Sequence, residues 1–137
     1  MDCLELNPPY DFTKWESEYI KELHSLEFKE NLGNLLLFED ETIKLWNLKL
    51  DKGERMPFVK HNKDYSWISE NDAILKSRWG NGRISLIRIN QGDTEFFEND
   101  TKNYINDLEN LGNHAIVFKI LEYKQKSEIE KQFMPKY

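Results

Sequence analysis

The spacing of its turns constrains this chain's fold more than any other feature. Short runs rich in apolar residues recur at Leu35 to Phe38, Met56 to His61, Tyr65 to Ile68, Ala73 to Trp79, Ile84 to Ile89, Glu95 to Phe97, Asn103 to Leu108 and Ala115 to Tyr123. A further alternating stretch carries Ile43 and Leu45, then, after a break at Asn47, Leu48 and Leu50. Between them stand turn-forming groups: Asp51-Lys52-Gly53, Ser69-Glu70-Asn71-Asp72, Gly80-Asn81-Gly82, Asn90-Gln91-Gly92-Asp93 and Asn110-Leu111-Gly112-Asn113. Runs this short cannot make helices of useful length. Alternation places every second side chain on one face, so the pattern predicts an all-β sandwich or barrel.

Before the strands, Trp15, Tyr19, Ile20, Leu23 and Leu26 recur at spacings of three and four, which predicts an amphipathic helix within Asp11 to Glu30. Thr13 and Glu16 match a capping box, and Pro8 and Pro9 hold the chain before it extended. A second helical segment is expected over Ser127 to Phe133, with Ile129 and Phe133 to dock it. The expected division is an N-terminal arm and helix over residues 1–33, a barrel over 34–124 and a helical tail over 125–137, all within one domain.

Composition narrows the function classes. The net charge of −6, with no long basic cluster, argues against a nucleic-acid partner. No run approaches the ~20 apolar residues that span a bilayer, and the first residues, MDCLELNPPYDF, have no export pattern. Cys3 is the single cysteine and sits in a stretch expected to be loose, which suits a reducing compartment, and a cytoplasmic location is expected.

The order Gly53-Glu54-Arg55-Met56-Pro57-Phe58-Val59-Lys60-His61, followed by Asp64-Tyr65-Ser66-Trp67, resembles the first motif of small single-domain cupins of the RmlC-like superfamily. Gly92-Asp93 with Phe96-Phe97, then Asn106 to Asn113 and Val117 to Glu122, resembles the second motif and the closing strand. The resemblance implies a double-stranded β-helix, or jelly roll, with a small interior. In metal-binding cupins these motifs supply two histidines, a glutamate and a third histidine. Here those positions fall on Val59, His61, Tyr65 and Asn106. A transition metal wants about three or four imidazole or carboxylate donors, so no metal and no cofactor is expected.

What the resemblance leaves is a container. The expected ligand-binding residues are His61, Tyr65, Trp67, Arg78, Arg88, Tyr104 and Asn106, holding a small anionic or sugar-like molecule. Arg55, Arg78, Arg83 and Arg88 are the candidate anchors for an anion, with Arg78 and Arg88 preferred because each lies in a strand. Alternation puts Arg88 with Leu86 and opposite Ile87 and Ile89, without saying which set faces inward. His24 and His114 read as surface residues, and the four tryptophans as core.

The alternative is a cupin enzyme: an isomerase, epimerase or lyase using His61 with Tyr65 or Tyr104, or a metal-dependent dioxygenase. No G-x-S-x-G, P-loop, C-x-x-C or H-E-x-x-H signature is present. A homodimer is expected, because the apolar helix face needs a surface to cover.

Overall fold

The computed structural model describes residues 1–99 and 104–124. The expected tail helix lies outside these residues, as does Asn103. Ten strands and one helix follow in the order β1 (Asp2–Asn7), α1 (Ser17–His24), β2 (Leu35–Glu39), β3 (Ile43–Leu50), β4 (Arg55–His61), β5 (Asp64–Ser69), β6 (Ala73–Arg78), β7 (Ile84–Ile89), β8 (Thr94–Phe97), β9 (Tyr104–Asn110) and β10 (Ile116–Tyr123). They form two antiparallel five-stranded sheets, β1-β7-β6-β9-β4 and β2-β3-β10-β5-β8.

The inner faces meet in one core. Leu48 and Leu50 of β3 and Ile116, Phe118 and Ile120 of β10 pack against Val59, Ala73, Leu75 and Ile89 of the other sheet. The inward set of β3 is Trp46, Leu48 and Leu50, in unbroken alternation, so the break expected at Asn47 is absent. Ile43 and Leu45 belong to the outer face instead.

Turn chemistry sets the strand ends. Gly53, Gly82 and Gly92 all take positive φ, which costs glycine no side-chain clash. At Gly82 a side chain would also meet Phe12 and the Tyr10 backbone at 3.2 Å. Its carbonyl accepts from both Asn7 Nδ2 and Trp15 Nε1, each at 2.8 Å, so this one turn fixes the N-terminal arm. Gly33 approaches β3 so closely that a Cβ would stand 2.6 Å from the Asn47 carbonyl oxygen.

The structure differs from three expectations about the N-terminus. The stretch around Cys3 is not loose: it is strand β1, paired with β7 in the register Cys3 to Ile87. The helix is eight residues, not the twenty from Asp11 to Glu30. Thr13 bonds Asp11 in a local turn rather than capping the helix, whose N-cap is Glu16. At the other end Leu26 takes φ 59° and turns the chain away.

The helix packs against its own barrel. Its Leu23, with Trp15, covers Phe58 and Ile84 on the outer face of the first sheet. Beneath it lies an ion network. Arg78 Nη1 and Arg55 Nε donate to Asp107 Oδ2 at 2.9 and 2.7 Å, and the Arg78 amide donates to Asp107 Oδ1. Arg55 reaches up to Glu22 of the helix with two parallel bonds of 2.8 Å, and Arg78 reaches Glu109 at 2.9 Å. The Tyr19 ring lies over both guanidiniums. This bidentate clamp holds the Glu22 carboxyl below its usual range and ties α1 to β4, β6 and β9.

No helix of the described residues is long and apolar enough to cross a membrane.

Candidate functional site

The interior of the barrel has two unlike ends. One is plugged by Leu48, Leu50, Leu75, Ile89 and Ile116. The other is polar, and the alternation that buries those residues carries His61, Asn106, Ser77, Ser85 and Glu122 inward there.

His61 ends β4 and is 7% exposed. Its Nε2 lies 2.6 Å from Asn106 Oδ1, Asn106 Nδ2 donates to Ser77 Oγ at 3.1 Å, and the Ser77 hydroxyl donates to the Asp107 carbonyl at 2.7 Å. The Tyr65 ring stacks on the imidazole with centroids 4.9 Å apart, and Phe97 stacks on Tyr65 at 4.7 Å. Burial lowers the His61 pKa, and the bond to Asn106 opposes the shift without cancelling it. Burial alone pushes the Tyr65 phenol well above its usual value, so it is a donor and not a base at neutral pH.

Tyr104 stands opposite His61 across the β4–β9 ladder, 38% exposed, at the rim. The Trp79 indole meets it edge-on, and the Arg83 guanidinium lies 5.2 Å from the Trp79 ring centroid. Trp79 bridges Asn106 in register, and its backbone bonds Arg83, which puts both on the inward face beside β9. On the facing sheet Glu122 stands opposite Tyr65, 8% exposed, and accepts from Trp46 Nε1 at 3.1 Å.

The structure therefore brings together His61, Tyr65, Tyr104 and Asn106 of the expected set. Trp67 packs deeper, edge-on to Phe118 and tilted against Phe97, as part of the floor. Two expected residues are elsewhere. Arg78 faces outward and is consumed by Asp107 and Glu109 beneath the helix. Arg88 is exposed on the outer face, opposite Asp2 of β1 and Ile74 of β6. The strand arginines occupy the outward register, and the inward one is Arg83, which sits in a turn.

The metal positions of the resembled family converge here but do not fit a metal. Val59 is in the apolar core, Tyr65 holds its proton, and Asn106 already engages His61 Nε2. Among the described residues no group of three histidine, cysteine or acidic side chains could hold an ion. His114 is at the plugged end, bonded to Asp72 and Asn113, and His24 is on the helix, so neither approaches His61.

A groove of about 330 Å³ runs along the seam between β3 and β4, over Trp46, Leu48 and Met56. None of the polar mouth residues on the first sheet lines it.

Neither a protein-family model nor a curated protein matches the sequence. Solved structures do. A cupin domain from Bordetella pertussis Tohama I superposes with a TM-score of 0.60 at 14% identity, over 72% of this chain and 98% of that one. An RmlC-like cupin from Methanocaldococcus jannaschii gives 0.55 at 15%, over 76% and 93%. The cupin domain of Cnp3 from Schizosaccharomyces pombe gives 0.54 at 10%, over 100% and 98%. Identity this low speaks for the fold alone, and the two facing five-stranded sheets agree with it: the chain is a cupin-fold domain with a double-stranded β-helix barrel.

Proposed function

We propose that this cupin-fold domain is a binding module that holds a small anionic or sugar-like molecule in the polar mouth of its barrel, without a metal. The observation that carries the reading is a set of unmet polar atoms. Among the described residues, His61 Nδ1, Trp79 Nε1 and Arg83 Nε are buried and have no hydrogen-bond partner. All three belong to inward positions at the same end. An unsatisfied buried polar atom costs about 1–3 kcal/mol. A ligand that reaches them recovers that cost on binding.

Arg83 and Trp79 are donors, so the ligand must present acceptor oxygens to them, and the guanidinium favours anionic ones. A thermal-shift screen with small carboxylates, sugar acids and sugars tests this. A ligand near 100 times its Kd adds about 2.7 kcal/mol of stability, enough to raise Tm by several degrees. Arg83→Met is expected to weaken an anionic stabiliser by about tenfold or more, as loss of a charge-assisted bond does. Arg88→Met, on the outside, leaves it unchanged. No stabiliser across the panel would count decisively against the reading.

We also propose a second copy of the chain as partner, now by a different surface. The helix is covered, but the outer face of the second sheet is not: Phe38, Phe96 and Ile68 are exposed there beside partly buried Leu45, Leu121 and Tyr123. The sheet ends in edge strand β2, exposed at every position of Leu35–Glu39. An apolar edge of this kind invites pairing with another strand. Size exclusion with light scattering is expected to give a dimer that Phe38→Glu with Phe96→Lys converts to a monomer. A wild-type monomer at micromolar concentration removes the proposal.

A further inference from the structure

The hydrogen bonds behind His61 determine which of its nitrogens carries hydrogen. The Asp107 carbonyl can only accept, so the Ser77 hydroxyl hydrogen is committed to it. Ser77 Oγ must then accept from its other neighbour, which turns Asn106 Nδ2 toward Ser77. The same amide therefore turns Oδ1 toward His61, and an amide oxygen also only accepts. Nε2 of His61 is the N–H. Because burial keeps the ring neutral at pH 7, Nδ1 bears a lone pair and no hydrogen. That lone pair is buried and has no partner among the described residues.

Resting on the mouth as a small-molecule site, we infer that His61 Nδ1 accepts a hydrogen bond from a hydroxyl of the bound molecule, whose anionic oxygens lie on Arg83 and Trp79 Nε1; the ligand is a polyhydroxylated acid of sugar size. The two ends of the site ask for opposite chemistry. Arg83 and Trp79 offer hydrogens, whereas His61 asks for one. An ammonium could also donate, but it would sit in a poorly solvated mouth with the Arg83 cation, so a hydroxyl is the better donor.

Size follows from the sheet. His61 is on β4 and Arg83 precedes β7, with β9 and β6 between them. Three strand spacings of about 4.8 Å separate their backbones, narrowed by the inward reach of both side chains. A two- or three-carbon hydroxy acid cannot meet both, and a sugar acid or sugar phosphate can. Glu122 on the facing sheet, opposite Tyr65 in register, offers a further acceptor for hydroxyls.

Two measurements test the inference. Long-range proton–nitrogen NMR correlations of His61 are expected to show hydrogen on Nε2 and none on Nδ1 in the wild type. Ser77→Ala, which frees the Asn106 amide to turn over, is expected to populate the other tautomer. Hydrogen on Nδ1 in the wild type would overturn the assignment.

Calorimetric titration then compares glucuronate and glucose 6-phosphate with hexanoate and glucose. At least one of the first pair is expected to bind about tenfold or more tightly than either of the second, the two of them reporting whether carboxylate or phosphate is preferred. Hexanoate binding as well as glucuronate would sink the hydroxyl inference while leaving the anion site standing. No binding by any of the four would remove the mouth reading itself.

Discussion

Asp107→Asn is expected to lower the unfolding free energy by about 3 kcal/mol or more, although the two side chains have nearly the same shape. Asp107 is fully buried, and it takes the Arg78 backbone N–H on one oxygen and both guanidiniums on the other. An amide can replace some of those bonds but not the charge. Arg78 is 4% exposed and would keep only Glu109. Burial pushes the Asp107 carboxyl up, and the Arg78 backbone N–H and the two guanidiniums oppose that shift without cancelling it, so removing the carboxylate charge leaves the buried guanidiniums uncompensated. The helix is tied to the same network through Arg55 and Glu22, so it should lose its hold as well. Urea unfolding followed by tryptophan fluorescence reads both effects, because Trp15 lies under the helix. A loss under 1 kcal/mol, as is usual for an exposed ion pair, would mean the network contributes little.

The prediction concerns a residue that looks like one more acid in a dense acidic run. Glu95, Glu98, Asp100, Asp107 and Glu109 form a dense acidic run in the sequence, a composition usual for a solvated face or loop, and nothing in it marks Asp107 as fully buried. The reason is general to sheets. Alternation says that Asp107 and Glu109 share one face and Asn106 and Leu108 the other, but it does not say which face is covered by a helix from elsewhere in the chain. The same ambiguity misassigned the arginines. Arg78 alternates with Ser77, and residue type alone gives no ground for sending the serine inward and the arginine out. Arg83 was legible as a candidate, but it stands in a turn, where alternation assigns no face at all.

Where the apolar set was long enough, the reading held. Ile116, Phe118 and Ile120 define the inward face of β10, and continuing that step by two reaches Glu122, so alternation in the sequence marks Glu122 as inward too. The strands themselves were legible because turns punctuate them. The helix was read too long, because its periodic apolar positions extend past the point where Leu26 adopts a left-handed backbone. His61, Tyr65 and Asn106 came from motif order, which aligned them on Gly53 before any contact was known. Their hydrogen-bond roles depend on Ser77 and the Asp107 carbonyl, and no spacing rule connects those to His61.

The two unlike ends of the barrel lead to a second large effect. Leu48→Ala is expected to cost about 3 kcal/mol, since Leu48 is 1% exposed in the core and truncation there leaves a cavity as well as losing buried surface. Its effect on the mouth should be small. Leu48 packs at the plugged end, while His61, Asn106 and Ser77 are held by hydrogen bonds to one another and to the β9 backbone. At a temperature where the variant is fully folded, affinity for the best anionic stabiliser is therefore expected to stay within about twofold of wild type, because Leu48 makes none of the hydrogen bonds that hold the mouth. His61→Gln should do the reverse. It removes the buried lone pair and the stacking on Tyr65, leaves the plug untouched, and should lower affinity more than stability. The comparison separates a barrel that is one cooperative scaffold with a site at its mouth from one whose whole interior adapts to the ligand. If Leu48→Ala weakened binding as much as His61→Gln, the two ends would be mechanically coupled, and the ligand would be acting on the core rather than on three unpaired nitrogens at its rim.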